Sequence, residues 1–565
     1  MHEYPNIWPQ GGIFAFSGVD GPTDAAEPFA AYGVRDGIGW TFPLEPEVTL
    51  RAAVGADRLV SIQYPTDYCL SDCWHVTVEL HEHRGYVAGG FLDRHSISLV
   101  IELERVEGTE FPTLVSDAPG RAANGAEVFA GNGRWIAVAT GDASLHRQFG
   151  IAVSYASEED AVRRAQSACR ADITDLSSQR LAFTAALEAP QGMAGNRKRT
   201  VYKAISVLKA HIQSSGGAMP CRWTSPHRIE IPQPRLWDSS VHALGLKHLS
   251  VDLAEDSLRA MFAQPDDSAG EMQADTAPLP AYTPLAAWVL WRHFEAYRRT
   301  PFLREMYPKL VRQMNWIEAH RRNETGLYGW KLGEDTAARG IESGMDNSPR
   351  FDHATAMTAV DLSSYMAAEY RVLEKMAKWL DNTADAAAWA KRRAEIVELM
   401  NEVLWDDEHQ FYFDLDEVGD FISVKTASGF LPLHGRVPDR DRAEALRMHL
   451  MNPKEFRAPL RVPSVALDED CFTNNLWRGP SWLQLNLFIY YGLMSYGFFQ
   501  EAREVAHSSI DEVVRCYLLY GCFYEFYDSS TDRPPFDLPR GKTTGALADF
   551  SATAAAFLDL THEVK

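Results

Sequence analysis

The segment VYKAISVLKAHI, residues 201–212, marks where the chain changes from a strand-like to a helix-like pattern. Side chains three or four residues apart share one face of an α-helix, so apolar residues at that spacing predict an amphipathic helix. We therefore place the start of a helical region near residue 190. The apolar positions are Val201, Ala204, Ile205, Leu208 and Ile212.

The chain after this segment repeats the helical pattern over long stretches. Pro284, Pro301 and Pro480 stand at or near the starts of three of them, where the missing N–H removes no helical hydrogen bond. Helices joined by alternately short and long loops favour a toroid of paired helices. We predict further helices at 239–263, 284–299, 301–322, 358–380, 384–404, 440–450, 480–497, 499–517 and 549–562.

The chain up to about residue 180 has the pattern of β-strands. Short or alternating apolar runs are separated by Gly and Asp, which is typical of an antiparallel sandwich. The first long helical pattern is at 158–169. We predict a β-rich domain at 1–185 and a helical domain at 186–565. The strand-like runs lie at 48–54, 59–62, 75–80, 96–103, 135–139 and 150–155.

The composition excludes two classes of partner. The 565 residues contain 55 Lys and Arg against 77 Asp and Glu, a formal net charge of −22. Nucleic-acid binding depends on clustered basic residues, and the longest basic cluster is only 196–199, so we predict no nucleic-acid partner. The most apolar window, 482–494, is shorter than the roughly 20 residues of a membrane helix. We therefore predict no membrane partner.

The cysteines and the first residues bear on location. Seven cysteines are an odd and sparse set for so long a chain, which fits free thiols in a reducing compartment. Residues 1–5 show no basic region followed by an apolar stretch, so we expect no signal peptide. These features predict a cytoplasmic protein, and no feature indicates its oligomeric state.

Four polar and aromatic clusters lie in loops of the helical region. The segment 234–240 (PRLWDSS) is either a helix cap or one wall of a sugar site. The segment 342–352 (ESGMDNSPRFD) carries three carboxylates and is either a polar turn or a reactive loop. The segment 475–482 (NLWRGPSW) is either an ordinary helix start with core tryptophans or part of the same site. The segment 523–528 (FYEFYD) is an edge strand, a capping turn or a carboxylate pocket.

Together the clusters have the chemistry of a site for a polyhydroxylated ligand. Carboxylates and arginines bind hydroxyls, while Trp and Tyr rings pack on the C–H faces of sugars. The segment 523–528 surrounds a carboxylate with aromatic residues, and a pocket of that kind suits general acid or base chemistry. Two carboxylates from separate loops are also the minimum set for cleaving a glycosidic bond. Composition alone does not choose which two.

The loop Glu342-Ser343-Gly344-Met345-Asp346-Asn347-Ser348-Pro349 resembles the Glu-Ser-Gly-x-Asp-x-Ser loop of glycoside hydrolase families 63 and 37. These families include mannosylglycerate and glucosylglycerate hydrolases, processing α-glucosidases and trehalases. The Met-Asp-Asn-Ser-Pro form is most similar to the mannosylglycerate-hydrolase-like group. Other segments stand in the family's order: LWDS at 236–239, VDLSSY at 360–365, LWD at 404–406, FYFD at 411–414, VPS at 462–464, LWRGP at 476–480 and YEFY at 524–527.

This resemblance implies an (α/α)6 barrel catalytic domain and an inverting α-glycosidase without cofactor or metal. We also expect exo action on short glycosides, because the predicted cytoplasmic location excludes most polymers. The resemblance implies a small α-glucoside or α-mannoside as substrate, such as glucosylglycerate, mannosylglycerate or an α-gluco-oligosaccharide. It places the general acid at Asp346 and the general base at Glu525, and Glu342 is expected to orient the acid loop. The implied substrate-binding residues are Trp237, Asp238, Glu342, Trp477, Arg478, Gly479, Tyr524 and Tyr527.

Two other functions stay open at this point. A sugar epimerase or lyase on a similar helical toroid would use His or Tyr bases, and His242 and His353 lie close to the motif loops. An inactive sugar-binding protein is the second alternative, although both proposed catalytic carboxylates are present.

Signals for a metal or a phosphate loop are weak. Cys69, Cys73, His81 and His83 lack a second ligand pair at suitable spacing, so we predict no metal site. The run RGKT at 540–543 lacks the first glycine and the preceding strand of a phosphate-binding loop.

Overall fold

The fold is described from a computed structural model of the chain. It describes residues 234–262, 283–335 and 338–564 without interruption, and shorter segments before residue 234. The chain divides into two compact units, one within 1–233 together with 517–523 and the other comprising 234–516 and 524–565. The domain boundary predicted at 185/186 stays a prediction. Residues 1–5, 48–49, 59–60, 69 and 81, on which some predictions fall, lie outside the described residues.

The described strands of the first unit pair antiparallel. The strands are β1 (Phe14–Phe16), β2 (Ala31–Gly37), β3 (Trp40–Pro43), β4 (Leu50–Val54), β5 (Asp57–Arg58), β6 (Ser61–Gln63), β7 (Cys73–Leu80), β8 (His83–Asp93), β9 (Ser96–Leu103), β10 (Thr113–Ser116), β11 (Arg121–Ala123), β12 (Ala126–Gly131), β13 (Arg134–Asp142) and β14 (His146–Ser154). The largest sheet has the strand order β11-β12-β13-β14-β9-β8-β7-β6, and two three-stranded sheets have the orders β1-β2-β3 and β10-β4-β5.

Helix α1 (Glu158–Cys169) covers part of the large sheet and confirms the helix predicted at 158–169. Its small residues Ala161 and Ala165 pack with Val128 and Ala152 of the sheet. Gly150 permits this contact, because a Cβ there would lie 1.9 Å from the Ala165 carbonyl oxygen. Antiparallel strands agree with the sequence pattern, whereas the sandwich arrangement stays a prediction.

The remaining helices of the described residues follow α1 in the chain. They are α2 (Gly195–Ala210), α3 (Leu236–Leu246), α4 (Val251–Ala260), α5 (Ala286–Tyr297), α6 (Thr300–Arg321), α7 (Val360–Trp379), α8 (Thr383–Val403), α9 (Leu431–Gly435), α10 (Arg440–Leu450), α11 (Leu483–Tyr496), α12 (Phe499–Tyr520) and α13 (Ser551–Glu563). Short hairpins follow as β15 (Ile212–Gln213) with β16 (Trp223–Thr224), β17 (Trp405–Asp406) with β18 (Phe411–Tyr412), β19 (Asp414–Leu415) with β20 (Phe421–Ile422), and β21 (Pro539–Arg540) with β22 (Thr543–Thr544).

Six helices of the second unit form a closed ring. Helices α3, α5, α7, α9, α11 and α13 each pack against the next in this order, and α13 packs against α3. Helices α4, α6 and α8 pack on the ring helices that precede them. This mainly helical arrangement is consistent with an (α/α)6 barrel. The loops that carry the sequence motifs lead into the N-terminal ends of α3, α7, α11 and α13.

One predicted helix is wrong in its extent. The segment 239–263 forms two helices, α3 and α4, with a break at 247–250. Ser250 caps α4, because its hydroxyl accepts a hydrogen bond from the Leu253 amide at 3.4 Å. The apolar pattern continues across the break, because α3 is buried on nearly all sides and α4 buries one face, and the pattern therefore hides the cap.

The apolar window at 482–494 is a ring helix. Every residue from Leu483 to Tyr490 in α11 is buried, which explains why this helix is apolar on all sides. Within the described residues, no helix combines the length and the apolar character needed to cross a membrane.

Candidate active site

Three carboxylates from separate motif segments interact electrostatically in the second unit. The charge of Glu525 raises the pKa of both Asp238 and Asp346, and Asp346 also raises the pKa of Asp238. Arg235 opposes both shifts, and Arg540 opposes the shift at Asp346. The two carboxylates predicted to be catalytic therefore belong to one electrostatic group, and Asp238 is its third acidic member.

A tight turn built from the motif residues holds Asp346. Gly344 has a φ of 77°, in the left-handed region that favours glycine. The Ser343 hydroxyl donates to the Gly340 carbonyl at 2.7 Å and accepts from the Met345 amide at 3.0 Å. The Gly340 amide in turn donates to the Asp346 carbonyl at 2.8 Å. These bonds explain why Ser and Gly precede the aspartate in the motif.

The environment of Asp346 favours its protonated form. Burial is the main cause that raises its pKa to about 6, with Glu525 contributing in the same direction. An exposed aspartate has a pKa of about 3.9 and is almost fully ionised near neutral pH. Asp346 therefore keeps a proton available at pH values where most aspartates have lost theirs, as a general acid requires.

Asp238 has an even more strongly shifted pKa. It lies in the first turn of α3, and burial raises its pKa to about 7 despite the nearby Arg235 cation. At neutral pH a large fraction of Asp238 is therefore a carboxylic acid. In that form it can donate a hydrogen bond to a ligand hydroxyl as well as accept one.

Glu525 is held by an arginine from a neighbouring hairpin. It is 4% exposed, and Arg540 donates from Nε to Oε2 at 2.6 Å and from Nη2 to Oε1 at 3.2 Å. The Glu525 amide donates to the Leu547 carbonyl at 2.9 Å, and the Leu547 amide donates to Oε2 at 3.4 Å. A two-bond arginine–carboxylate pair fixes the carboxylate plane as well as its position.

Asn347 links the loop of Asp346 to the loop of Trp477. Its Oδ1 accepts from the Trp477 amide at 2.9 Å, and its Nδ2 donates to the Asn475 carbonyl at 3.3 Å. Asn475 Oδ1 also accepts from the Gly541 amide at 2.8 Å. Side-chain amides therefore join three of the loops around the carboxylates.

Arg478 and Gly479 continue the Trp477 loop. Arg478 forms an ion pair with Asp352 at the end of the acid loop. Gly479 has a φ of 132°, and a Cβ there would lie 2.9 Å from the ring of Phe472. The structure explains Gly479 through this backbone requirement, and its predicted substrate contact stays a prediction.

Aromatic rings form one side of the site. The rings of Trp237 and Trp477 have centroids 5.9 Å apart, and Trp477 stacks on Trp482 at 3.9 Å. Trp237 is 4% exposed, and the described part of the chain offers its Nε1 no hydrogen-bond acceptor. A buried indole N–H without an acceptor is costly unless a ligand or water completes it. This donor suits a sugar hydroxyl.

Three predicted binding residues serve the framework. Glu342 accepts hydrogen bonds from the Arg321 guanidinium at Oε1 and from the Lys331 amide at Oε2. Both of its carboxylate oxygens are therefore occupied, which fits the expected role of Glu342 in orienting the loop. Tyr527 is fully buried, and its hydroxyl accepts from the Tyr524 amide at 2.9 Å. Their direct contact with substrate stays a prediction.

A buried arginine anchors the end of the acid loop. Arg350 donates to both oxygens of Asp414, at 3.0 and 3.1 Å, and also binds Asp361 at the start of α7. All three side chains are buried. Asp361 further accepts from Trp330 Nε1 at 2.8 Å. Two carboxylates and one guanidinium thus connect the acid loop, α7 and β19 where solvent does not screen their charges.

Two members of the charge group were not predicted. Arg235 stands in the first motif cluster but received no role, and Arg540 was considered only as part of a phosphate loop. The position of Arg235, two residues before Trp237-Asp238, is the sequence feature that could have indicated its role. No sequence signal connects Arg540 with Glu525, which lies 15 residues earlier in the chain.

The two histidines weighed for an epimerase differ in their surroundings. His242 is fully buried, its Nε2 lies 2.7 Å from the Ser551 hydroxyl oxygen, and burial lowers its pKa to about 3. His353 is exposed. A search of the described residues finds no group of His, Cys, Asp and Glu suited to a metal ion.

The chain is similar to known glycoside hydrolases. Residues 232–544 match the family model described as a mannosylglycerate hydrolase MGH1-like glycoside hydrolase domain. A mannosylglycerate hydrolase from Rubrobacter radiotolerans is 32% identical over 206 residues, covering 36% of this chain and 43% of that protein. The chain spans about half the length, or less, of three curated relatives that it matches, covering 52%, 43% and 32% of them.

Solved structures give a similar result. The family 63 mannosylglycerate hydrolase from Thermus thermophilus in complex with glucose has a TM-score of 0.51 and 25% identity, covering 63% of this chain and 98% of that one. A bacterial glucoamylase complexed with acarbose has a TM-score of 0.61 over 100% of this chain and 94% of its own, at 10% identity, and shows likeness of fold alone. The matched family region contains Asp346, Glu525 and all the motif loops described above. The chain therefore belongs to the mannosylglycerate hydrolase MGH1-like family of glycoside hydrolases.

Proposed function

We propose that this protein is an inverting, exo-acting α-glycosidase that hydrolyses a small α-glucoside or α-mannoside. The helical region at 186–565 is proposed as an (α/α)6 barrel catalytic domain, preceded by an antiparallel β-sandwich at 1–185. The antiparallel strands of the first unit and the closed ring of helices of the second support this layout. Cytoplasmic location and independence of cofactors remain predictions from the sequence.

The observation that carries the proposal is the contrast between Asp346 and Glu525. Burial raises the pKa of Asp346 to about 6, so its proton is retained. Glu525 is instead paired with the Arg540 guanidinium through two hydrogen bonds. Glycoside hydrolysis with inversion needs one carboxyl that gives a proton and one carboxylate that takes one from water.

In the proposed reaction, Asp346 donates its proton to the glycosidic oxygen while the bond from C1 to that oxygen breaks. Glu525 accepts a proton from a water molecule as the water oxygen forms its bond to C1 on the opposite ring face. The products are the free alcohol and a β-configured hexose. One proton lost by Asp346 is balanced by one gained by Glu525, and exchange with solvent restores both groups.

The surroundings supply the binding contacts for a sugar ring. Trp237 and Trp477 offer ring faces for its C–H surface, and Trp237 Nε1 offers a donor. Asp238 can accept or donate toward a hydroxyl. The Rubrobacter relative is a mannosylglycerate hydrolase, and the Thermus structure holds glucose, so a hexose joined to a small polar alcohol is the substrate class we propose.

The proposal is tested by assaying hexose release from a panel of α-glycosides. The panel contains mannosylglycerate, glucosylglycerate, trehalose and short α-gluco-oligosaccharides, with the β-anomers as controls. We expect hexose and alcohol in equal amounts, with incorporation of one water molecule per turnover. An isomerised sugar of unchanged mass, or an unsaturated product, would instead indicate an epimerase or lyase. Saturable binding of panel glycosides without any product would indicate a sugar-binding protein.

A further inference from the structure

A cavity lies within the ring of helices, apart from the three carboxylates. Its volume is about 270 Å³, and its lining comes from α5, α7 and α11 and from the end of α9. The residues of α7 and α11 that line it, at 371–375 and 491–495, belong to the C-terminal halves of those helices. The motif loops precede the N-terminal ends of the same helices. The cavity therefore lies toward the other end of the ring from Asp346.

The lining carries an excess of positive charge. No carboxylate in the described part of the chain forms an ion pair with Arg371, Lys375 or Arg436, and all three line the cavity. Arg292, a further lining cation, differs because it binds Glu563 and the Tyr491 hydroxyl. The cluster is unexpected in a chain with a net charge of −22, where carboxylates outnumber cations.

The cations of this cluster repel one another. Burial lowers the pKa of Arg371 to about 10, and the charges of Arg436 and Arg393 contribute in the same direction. Lys375 also has a lowered pKa, caused first by burial and then by the charge of Arg371. Glu295 attracts both cations, but it is a single carboxylate and it also accepts a hydrogen bond from the Trp291 indole at 2.7 Å. A bound anion would relieve this repulsion.

A buried polar atom also lines the cavity. His434 is 2% exposed, and its Nε2 has no hydrogen-bond partner among the described residues. Its ring packs edge-on against Trp288 with centroids 4.7 Å apart. Burial lowers the pKa of His434 to about 3, so it is a neutral imidazole that can donate one hydrogen bond. A ligand in the cavity would supply the missing hydrogen-bond partner of Nε2.

Helix ends explain only part of the cluster. Arg436 caps α9, so it can oppose the negative C-terminal end of that helix. Lys375 lies one turn further from the end of α7, in its last turn but one. Arg371 lies eight residues before the end of α7 at Trp379, beyond the reach of that effect, which falls off within the last turn. Its position and the unpartnered His434 need another explanation.

We propose that this cavity binds a small phosphate-bearing molecule, such as a sugar phosphate, through Arg371, Lys375 and Arg436. Guanidinium groups pair with phosphate oxygens through two hydrogen bonds, and three converging cations suit a dianion. His434 would donate to a remaining oxygen or hydroxyl, and Trp291, whose ring lies 5.6 Å from the Lys375 ammonium, would pack on the rest of the ligand. This site is separate from the proposed catalytic residues.

The test uses isothermal titration of the full chain with pyrophosphate and with glucose 6-phosphate at low ionic strength. Lys375→Ser and Arg436→Ser change exposed residues at the rim, and Lys391→Ser removes an exposed cation of α8 as the matched control. We expect saturable binding that weakens at least tenfold in each rim variant, keeps its affinity in the control and decreases with added salt.

Three outcomes would overturn the proposal. One is the absence of saturable binding of either probe to the unaltered protein. Another is equal affinity in the rim variants and in Lys391→Ser. The third is that Trp477→Ala abolishes binding while the rim variants keep their affinity, which would place the probe among the motif loops. Citrate serves as a further probe, and tighter binding of citrate than of both phosphates would contradict the assignment to phosphate.

Discussion

Arg540 binds Glu525 through two hydrogen bonds, from Nε to Oε2 at 2.6 Å and from Nη2 to Oε1 at 3.2 Å. The arginine comes from the β21–β22 hairpin, whose Gly541 is bound by the side chain of Asn475. The hairpin therefore connects the proposed base to the loop of Trp477. In the proposed reaction Arg540 is a positioning residue, because it acts through the orientation of Glu525.

Replacing Arg540 with Gln should lower kcat by roughly 10²-fold, because a charged donor that fixes the proposed base is lost. KM should change much less, since the bond is to Glu525. Arg540→Lys should restore part of kcat, as it keeps the charge and loses the two-bond geometry. Steady-state kinetics measure the split. Arg533→Gln, at an exposed arginine, is the control, and equal kcat in both Gln variants would exclude the positioning role.

Asp346→Asn and Glu525→Gln should each lower kcat by about 10³-fold or more, because each removes one of the two proton transfers. Both changes nearly preserve side-chain volume, so circular dichroism and binding of the product hexose should stay close to those of the unaltered protein. Asp532→Asn, at an exposed carboxylate, is the control. Full activity in either variant would remove that residue from the mechanism.

The pH dependence of kcat/KM should show a limb near pH 6. The raised pKa of Asp346, about 6, means that its proton is lost as the pH rises through that value. Activity should therefore fall about tenfold per pH unit well above the limb. Initial rates from pH 4 to pH 9 at constant ionic strength test this expectation. A rate constant that stays level to pH 8 would contradict the assignment of Asp346 as the acid.

Asp346→Asn should also stabilise the protein at neutral pH. The folded-state pKa of Asp346, about 6, lies above the ordinary value near 3.9, so ionisation destabilises the folded state progressively between these values and fully above pH 6. The Asn variant lacks this effect. Partial solvent access reduces the gain to on the order of 1 kcal/mol. Urea unfolding should show a higher free energy of unfolding for Asp346→Asn than for the unaltered protein at pH 7, and little difference at pH 4. If the two proteins were equally stable at both pH values, the raised pKa would be contradicted.

Arg350→Met should destabilise the protein by about 3–5 kcal/mol, because it leaves Asp361 and Asp414 as buried carboxylates without their cation. Lys378→Met, which breaks an exposed pair with Glu374, should cost at most about 0.5 kcal/mol. Chemical denaturation measures both changes. A loss in Arg350→Met no larger than in Lys378→Met would show that the triad does not anchor the acid loop.

Much of the helical region could be predicted from the sequence. Long apolar periodicity predicted α5 to α8 and α10 to α13 within a few residues of their bounds, because each helix buries one stripe or, as at Leu483 to Tyr490 of α11, all sides. Motif order also indicated which loops carry the site. The charge group contains Asp238, Asp346 and Glu525 from three of those motif segments.

Other features depend on tertiary structure that one sequence does not reveal. The partner of Glu525 is an arginine on a two-residue strand, too short to leave a pattern. Arg371 stands at an ordinary helix position, and only the folded ring reveals that no carboxylate of the described residues forms an ion pair with it. The break before α4 depends on a single serine cap within a continuous apolar pattern.

Proton NMR of the freshly released hexose tests the central proposal most directly. An α-glycoside that proves to be a substrate is mixed with enough enzyme to finish within the first minutes, before mutarotation mixes the anomers. Inversion by Asp346 and Glu525 requires the β-anomer to appear first and the α-anomer to grow in later. If the α-anomer appears first, the reaction retains configuration, and the assignment of Glu525 as a base acting on water is wrong.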